Sequence, residues 1–540
     1  MMDRRQLILA GMYGLGALSV PGVASILHAR GFTHGVASGE PGPESVLLWT
    51  RYVDTQNVRL RVEIAEDTGF RRLAGGGEVM AEAERDHTAR ITLAGLEPGR
   101  WYYYRFIAPD GTLSPVGRTR TLPVGAVSRF GIGLFSCSNL PFGWFNAYAH
   151  ACERSDLDLI VHVGDYLYEY PVGSYPDAAS ALPGRLIQPS HEIVNLADYR
   201  LRYAAYRADP DLQRLHQSYP TITQWDDHEL TNDAWVDGAE NHQPETEGDW
   251  SVRKATAIRV YREWMPVSDD YWRSYPIGDL ATLFKLETRI TGRSAPLELE
   301  AALKGRDDLP RALKEFRDGA LNDPARTLLG ETQQNWLTAA IKDSVKGGRR
   351  WQILAQQIVM GQLQLPTEVG NWVPADAPEV FRRRVQAGIA AARAGLPFNF
   401  DSWGGFPVER ERLLSAAQMA GANVITLSGD SHNAWAQNLT ADGRAAGVEF
   451  ATHSVTSPGF EFLTRGIDPK EVAGAMMSTN AGLAYADTSQ RGYTSVMLGP
   501  DAAIGQFHFL KTIRERSTEL AATRRFRVAR EQRTLAEIQS

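Results

Sequence analysis

Cysteine is nearly absent: Cys137 and Cys152 are the only two in 540 residues. That excludes a scaffold stapled by disulfides, and no bridge between the two is expected. Long apolar runs are also missing. Beyond the first 30 residues no stretch reaches the roughly 18 apolar residues that a membrane helix needs, so the mature chain is expected to be soluble. Nor is there an excess of positive charge. The 57 basic residues face 64 acidic ones for a net charge of -7, which argues against specific nucleic-acid binding. Fixed-period repeats and low-complexity tracts are lacking. What is present is the composition of a globular protein, 43% hydrophobic and 9% aromatic. Its length can bury one large core with room for a smaller second domain.

Residues 1–30 have the form of a signal peptide. Arg4-Arg5-Gln6-Leu7-Ile8-Leu9 precedes an apolar run from Ala10 to Ala24, with cleavage expected near Ala24 or Ala29. The paired arginines resemble a twin-arginine signal, which implies the twin-arginine export machinery and a periplasmic or secreted protein. An ordinary secretory signal and an N-terminal anchor are the alternatives.

From Phe32 to Pro123 short alternating strands predominate, such as Val58 to Ile64, Ala89 to Leu93 and Trp101 to Phe106. Leu96-Glu97-Pro98-Gly99 before the aromatic strand resembles the corner of fibronectin-like modules. Residues 31–123 are therefore expected to form a small fibronectin-like β-sandwich with its aromatics in the core. After Pro123 apolar strands alternate with helical stretches, at Asn146 to Arg154, Ser251 to Glu263, Glu331 to Ser344 and Val408 to Ala420. This alternation predicts an α/β catalytic domain over residues 124–540. Two interruptions, Pro171 to Gln217 and Leu363 to Pro407, are expected to run over the active face and set substrate access. The charged end, Thr512 to Ser540, is expected to be a solvated helix.

Three apolar runs end in groups of metal-type ligands: Gly164-Asp165-Tyr166-Leu167-Tyr168, Trp225-Asp226-Asp227-His228-Glu229 and Gly429-Asp430-Ser431-His432. Strands that deliver such side chains just past their last buried residue can converge them on cations. Asp165 and Tyr168 could offer a carboxylate and a phenol to one ion, although a capping Asp and a packed Tyr are the simpler pair. The crowded carboxylates at 226–229 repel one another unless a cation or solvent intervenes, and Asn232 and Asp233 could extend that ligand set. Cys137, in Ser136-Cys137-Ser138-Asn139, is on its own most simply a buried small residue; as a thiolate beside a phenolate and an imidazole it would favour a transition metal. Gly-Asp-Ser also suggests a serine esterase with Ser431 as nucleophile. Those enzymes need Asp-x-x-His, and no histidine here has Asp three residues before it.

Taken in order, these motifs, together with Gly35-Val36-Ala37-Ser38-Gly39-Glu40-Pro41 and Leu286-Glu287-Thr288-Arg289, resemble the PhoD family of alkaline phosphatases over nearly all of the mature chain. The resemblance implies a fibronectin-like domain followed by a metallophosphatase domain with two β-sheets between helical layers. It implies one ferric ion with calcium, and hydrolysis of phosphomonoesters and some phosphodiesters by a metal-activated hydroxide. By position, Cys137, Asp165, Tyr168 and His432 would hold iron, while Asp165, Asp227 and Asp430 would reach calcium. His228 would contact phosphate or the leaving oxygen as a catalytic residue, with Arg253 a second candidate there. Asn139, Asp226, Asn232 and Asp233 are further metal or phosphate contacts. Glu40 and Glu287 stand where the family pattern leads one to expect Asp. In-line attack without a phosphoserine should invert phosphorus. A phosphodiesterase or phospholipase D-type activity is the nearest alternative, and a non-catalytic surface-binding protein the more distant one.

Overall fold

The computed structural model describes residues 29–373 and 379–539. The proposed signal segment lies outside them up to residue 28. No helix among the described residues is long and apolar enough to cross a membrane.

The central strands are short and buried on both faces, which requires cover on both sides. One ten-stranded and one seven-stranded sheet supply it to each other. In the larger sheet β1 (Phe130–Phe135), β2 (Leu159–His162) and β3 (Pro220–Thr223) run parallel side by side. In the smaller sheet β4 (Ala281–Lys285), β5 (Trp351–Ala355) and β6 (Val424–Ser428) do the same. Ile132, Leu134, Val161 and Ile222 from the first pack into one core with Leu283, Ile353 and Ile425 from the second. Helices cover the outer faces. Trp250–Trp264 and Leu196–Arg207 bury Trp264, Val260 and Tyr203 against Phe135 and Ile160. On the other side Gly330–Lys346 and Pro407–Met419 bury Leu337, Ile341 and Leu413 against Phe284 and Leu354. The expected α/β class and the two inward-facing sheets are both present. The four expected helices begin and end within two residues of their sequence-based limits, and Asp249 starts one of them by accepting from the Ser251 amide.

The N-terminal strands form two layers around Leu48, Val62, Tyr104 and Phe106. One layer is a separate four-stranded sheet; the other, Gly31–Gly39, Ser45–Val53 and Thr88–Ala94, continues the ten-stranded sheet. Ser38 and Gly39 pair in parallel with Pro220 and Thr221 at the start of β3. The sandwich thus shares a sheet with the strands that carry the ligand clusters. At this junction Glu40 is buried and accepts from Lys285 Nζ at 2.8 Å. A glutamate there reaches the lysine at the end of β4 and ties the two sheets together.

The C-terminal segment is not a helix. Leu520–Ala529 and Leu535–Ile538 are strands that extend the ten-stranded sheet beyond Ala502–Leu510. The numerous arginines suggested a solvated helix, yet Phe526 and Val528 alternate with Arg525 and Arg527 and are buried. That period of two is the strand signal, and it prevails because the sheet edge offers a partner.

Candidate active site

The ligand clusters occupy the carboxyl ends of parallel strands from both sheets, where open α/β sheets form their binding crevice. Cys137 follows β1, Asp165 follows β2, Asp226 to His228 follow β3, and Asp430 and His432 follow β6. Leaving a strand so abruptly strains the backbone. Cys137, Asp165, Asp430 and His432 have φ of 59°, 52°, 62° and 61°. Such left-handed backbone costs ~1–3 kcal/mol per residue and persists where the surroundings enforce it, characteristically at functional sites. The glycines before two of these aspartates are needed for close approach. A Cβ on Gly164 would lie 2.4 Å from the Asp226 nitrogen, and one on Gly429 would lie 2.5 Å from the Ser136 Cβ.

Three overlapping sets of ligand atoms result, each within 4.8 Å: Cys137, Asp165 and His432; Asp165, Asp227 and His228; and Asp226, Asp227 and Asp430. Tyr168 joins the first, its hydroxyl 3.0 Å from Asp165 Oδ2 and 3.2 Å from His432 Nε2. His432 Nδ1 lies 2.8 Å from the Pro458 carbonyl, which assigns the ring proton to Nδ1 and turns the Nε2 lone pair towards Tyr168. From these sets Asp165, Asp227, His228, Asp430 and His432 line a cavity of about 290 Å³ whose wall also includes Asn232, Asp233, Phe398, Asp401, Trp435 and Phe460, while Cys137, Tyr168 and Asp226 lie behind that wall.

These residues fit cations. Asp165 Oδ1, Asp226 Oδ2, Asp227 Oδ1 and Asn139 Oδ1 are buried without a hydrogen bond, a costly state that a cation relieves. Burial pushes Asp430 and Asp226 well above the usual carboxylate range; Arg289 opposes this and neighbouring aspartates reinforce it. Burial also pushes the Cys137 thiol up, with the Asp165 charge adding to it. An ion in the site would reverse this logic by favouring the deprotonated ligands. Thiol, phenol and imidazole suit a transition metal, while the carboxylate-only set suits a hard cation such as calcium.

The sequence assigns no role to several other groups near the site, of which Glu229, Glu287 and Arg289 stand within quoted motifs and Glu169 stands outside them. Glu229 accepts from the backbone amides of Asp165, Tyr166 and Asp226 at 3.1, 2.6 and 2.8 Å, tying the ends of β2 and β3 together. Glu169 is fully buried and accepts from His228 Nδ1 at 2.7 Å, which leaves Nε2 as the ring nitrogen able to serve the cavity. Burial opposes the charged form of His228, yet Glu169, Asp227 and Asp165 hold its pKa well above the ordinary value. Arg289 lies beneath the cavity, paired with Asp226, with Asp401 at 2.7 Å and with Asp430 at 2.9 Å. Glu287 anchors that turn by accepting from the Arg289 amide at 2.8 Å and from Trp225 Nε1 at 3.0 Å. Its partners lie among the site-bearing turns.

Not every expected residue reaches the cavity. Arg253 is buried in its helix, held by Glu192 at 2.9 Å and Glu247 at 2.7 Å, and is absent from the cavity wall. Asn139 and Asp226 lie buried outside the wall, whereas Asn232 and Asp233 line it. The interruption Leu363 to Pro407 supplies Leu363, Phe398, Asn399, Asp401 and Ser402 to the wall; Pro171 to Gln217 supplies none. Ser431 Oγ accepts from Trp435 Nε1 at 2.9 Å, with no general base provided by its sequence context.

Comparison with known proteins agrees with this geometry. The family described as PhoD-like phosphatase matches residues 130–507, and its N-terminal domain matches residues 20–123. The chain is similar to alkaline phosphatase D of Bacillus subtilis (strain 168), at 30% identity over 537 residues that cover 94% of this chain and 82% of the relative. It is also similar to a solved structure of PhoD, with a TM-score of 0.77 and 29% identity over 95% of this chain and 93% of that one. Converging strand ends, a cation-ready acidic cavity and matches across both parts of the chain lead to one conclusion: the chain belongs to the PhoD-like phosphatase family and is a phosphoester hydrolase.

Proposed function

We propose that this hydrolase is exported by the twin-arginine route and depends on ferric iron and calcium. It releases phosphate from monoesters and also accepts some diesters. The observation that carries the metal reading is the overlap of the three ligand sets, with Asp165 shared by two and Asp227 shared by two. Cys137, Asp165, Tyr168 and His432 would hold iron, and Asp165, Asp227 and Asp430 would hold calcium. When bound, such cations neutralise phosphate oxygens and acidify an attacking water. The protein's own part is positioning. Asp165 and Asp227 are fixed by strand ends that Glu229 joins. His228, oriented through Glu169, presents Nε2 to a phosphate or leaving oxygen. Asn232 and Asp233 border the same space, as do the apolar rings of Phe398, Trp435 and Phe460, which limit water there.

The test is the metal content of protein purified without chelator, with turnover of a chromogenic phosphomonoester and the matching diester before and after chelation. Iron plus calcium and chelator-sensitive turnover are expected, and Asp165→Asn should lower turnover at least ~10³-fold. Full activity after verified removal of all metal would refute the proposal.

A further inference from the structure

A second cavity, of about 320 Å³, adjoins the acidic one and is lined almost entirely by apolar side chains. Leu365, Val369, Trp372, Leu396, Val472 and Met476 form much of its surface. The two cavities share Phe398 and Phe460, whose rings meet edge to face with centroids 5.4 Å apart. Phe398 keeps 39% of its surface exposed and Leu463, on the same wall, keeps 69%. Large apolar side chains left open in a concave surface are characteristic of ligand sites. This shared wall narrows what the ligand is, because a molecule that reaches across Phe398 and Phe460 into both cavities must carry an anionic head and an apolar tail.

We propose that the second cavity takes the alkyl chain of the alcohol in a phosphoester substrate, making this enzyme selective for alkyl phosphates over phosphates of short or polar alcohols. The proposal rests on the phosphoester reading of the acidic cavity and adds the class of leaving group. In the reaction the P–O bond to the alkyl oxygen breaks as a water oxygen bonds to phosphorus. The alkoxide leaves as the alcohol after taking a proton, and inorganic phosphate remains.

The experiment compares kcat/KM for ethyl, butyl, hexyl and octyl phosphate, below their micellar concentrations, in the metal-loaded full-length enzyme. Burial of one methylene strengthens binding up to about fourfold, so kcat/KM should rise at least about twofold for each methylene added. Ala392→Phe fills the apolar cavity from a position outside the acidic one, and should lower the octyl-to-ethyl ratio at least about tenfold. Val369→Asp, at another position outside the acidic cavity, should lower the same ratio by placing a charge among the alkyl contacts. Ethyl phosphate turnover reports folding and the phosphatase chemistry in every variant. A flat length series with good ethyl phosphate turnover would overturn the proposal. An unchanged octyl-to-ethyl ratio in both variants would also overturn it, whereas no turnover of any ester by the metal-loaded wild type would overturn the phosphatase reading itself.

Discussion

Removing Arg289 should convert the site into one whose stability depends on calcium. Its guanidinium is wholly buried, paired with Asp226 and lying 2.7 Å from Asp401, 2.9 Å from Asp430 and 3.4 Å from Asp227. Arg289→Met keeps most of the side-chain length and deletes the cation that faces Asp226, Asp227 and Asp430, leaving Arg293 paired with Asp401 alone. Breaking a buried ion pair by removing one partner costs about 3–5 kcal/mol, because the remaining charge has neither solvent nor counter-ion. With an unfolding entropy of about 2.1 cal/mol/K per residue, the 540-residue chain should then melt roughly 3–4 °C lower in chelator. Calcium at 100 times its dissociation constant would restore about 2.7 kcal/mol. Scanning calorimetry of wild type and variant, each in chelator and in calcium, reads both numbers. Equal melting of the two proteins in chelator would refute the argument that Arg289 compensates these carboxylates, and equal stabilisation by calcium would refute the claim that the ion takes over its role.

Glu169→Gln should lower turnover about 10–100-fold, the usual effect of losing a partner that orients an active-site ligand, while bound metal stays unchanged by elemental analysis; loss of iron or calcium from the variant would show that Glu169 supports the cations instead. Gly164→Ala should destabilise the fold and reduce metal retention, since φ is +101° and the new Cβ meets Asp226; a variant with wild-type melting and metal content would contradict that geometry. Acid should destabilise the protein through histidines buried in neutral form. Burial lowers His162 to about 3, His453 to about 4 and His508 to about 2, the last also through Arg154. Their folded pKa values lie below the unfolded value of about 6.5, so the unfolded chain binds more protons below that pH. Stability is therefore complete above about pH 6.5 and falls below it, by up to about 1.4 kcal/mol per pH unit for each histidine. His508→Gln should remove one such contribution from the pH dependence of unfolding, and an unchanged slope would count against it.

Much of the site could be read before the fold was known, because its ligands are local. Asp165 with Tyr168, Asp226 to His228, and Asp430 with His432 each follow an apolar run, and strand periodicity places the end of such a run at a sheet edge. The roles of the supporting residues gave no comparable signal. Arg289 stands in the Leu286-Glu287-Thr288-Arg289 motif after β4, but only the packing of the two sheets brings Asp226, Asp401 and Asp430 around it. Glu169 follows a recognised cluster, yet its partner His228 is 59 residues away. Arg253 illustrates the converse, since a cation near ligand clusters in sequence is held by Glu192 and Glu247 away from the cavity.

The chain ends divide in the same way. Phe526 and Val528 carry a period of two in the sequence, but a strand forms there only because Ala502–Leu510 presents an edge for it to join. What the sequence by itself determined was the α/β alternation, the short buried strands and the ligands at their ends, since apolar periodicity and turn chemistry act over a few residues. Tertiary structure alone decided that two sheets face each other so that Cys137 and Asp165 meet His432, that Arg289 lies beneath the carboxylates, and that an apolar cavity opens beside the acidic one. Those outcomes depend on burial and charge compensation between segments hundreds of residues apart, and no local pattern encodes the distance between them.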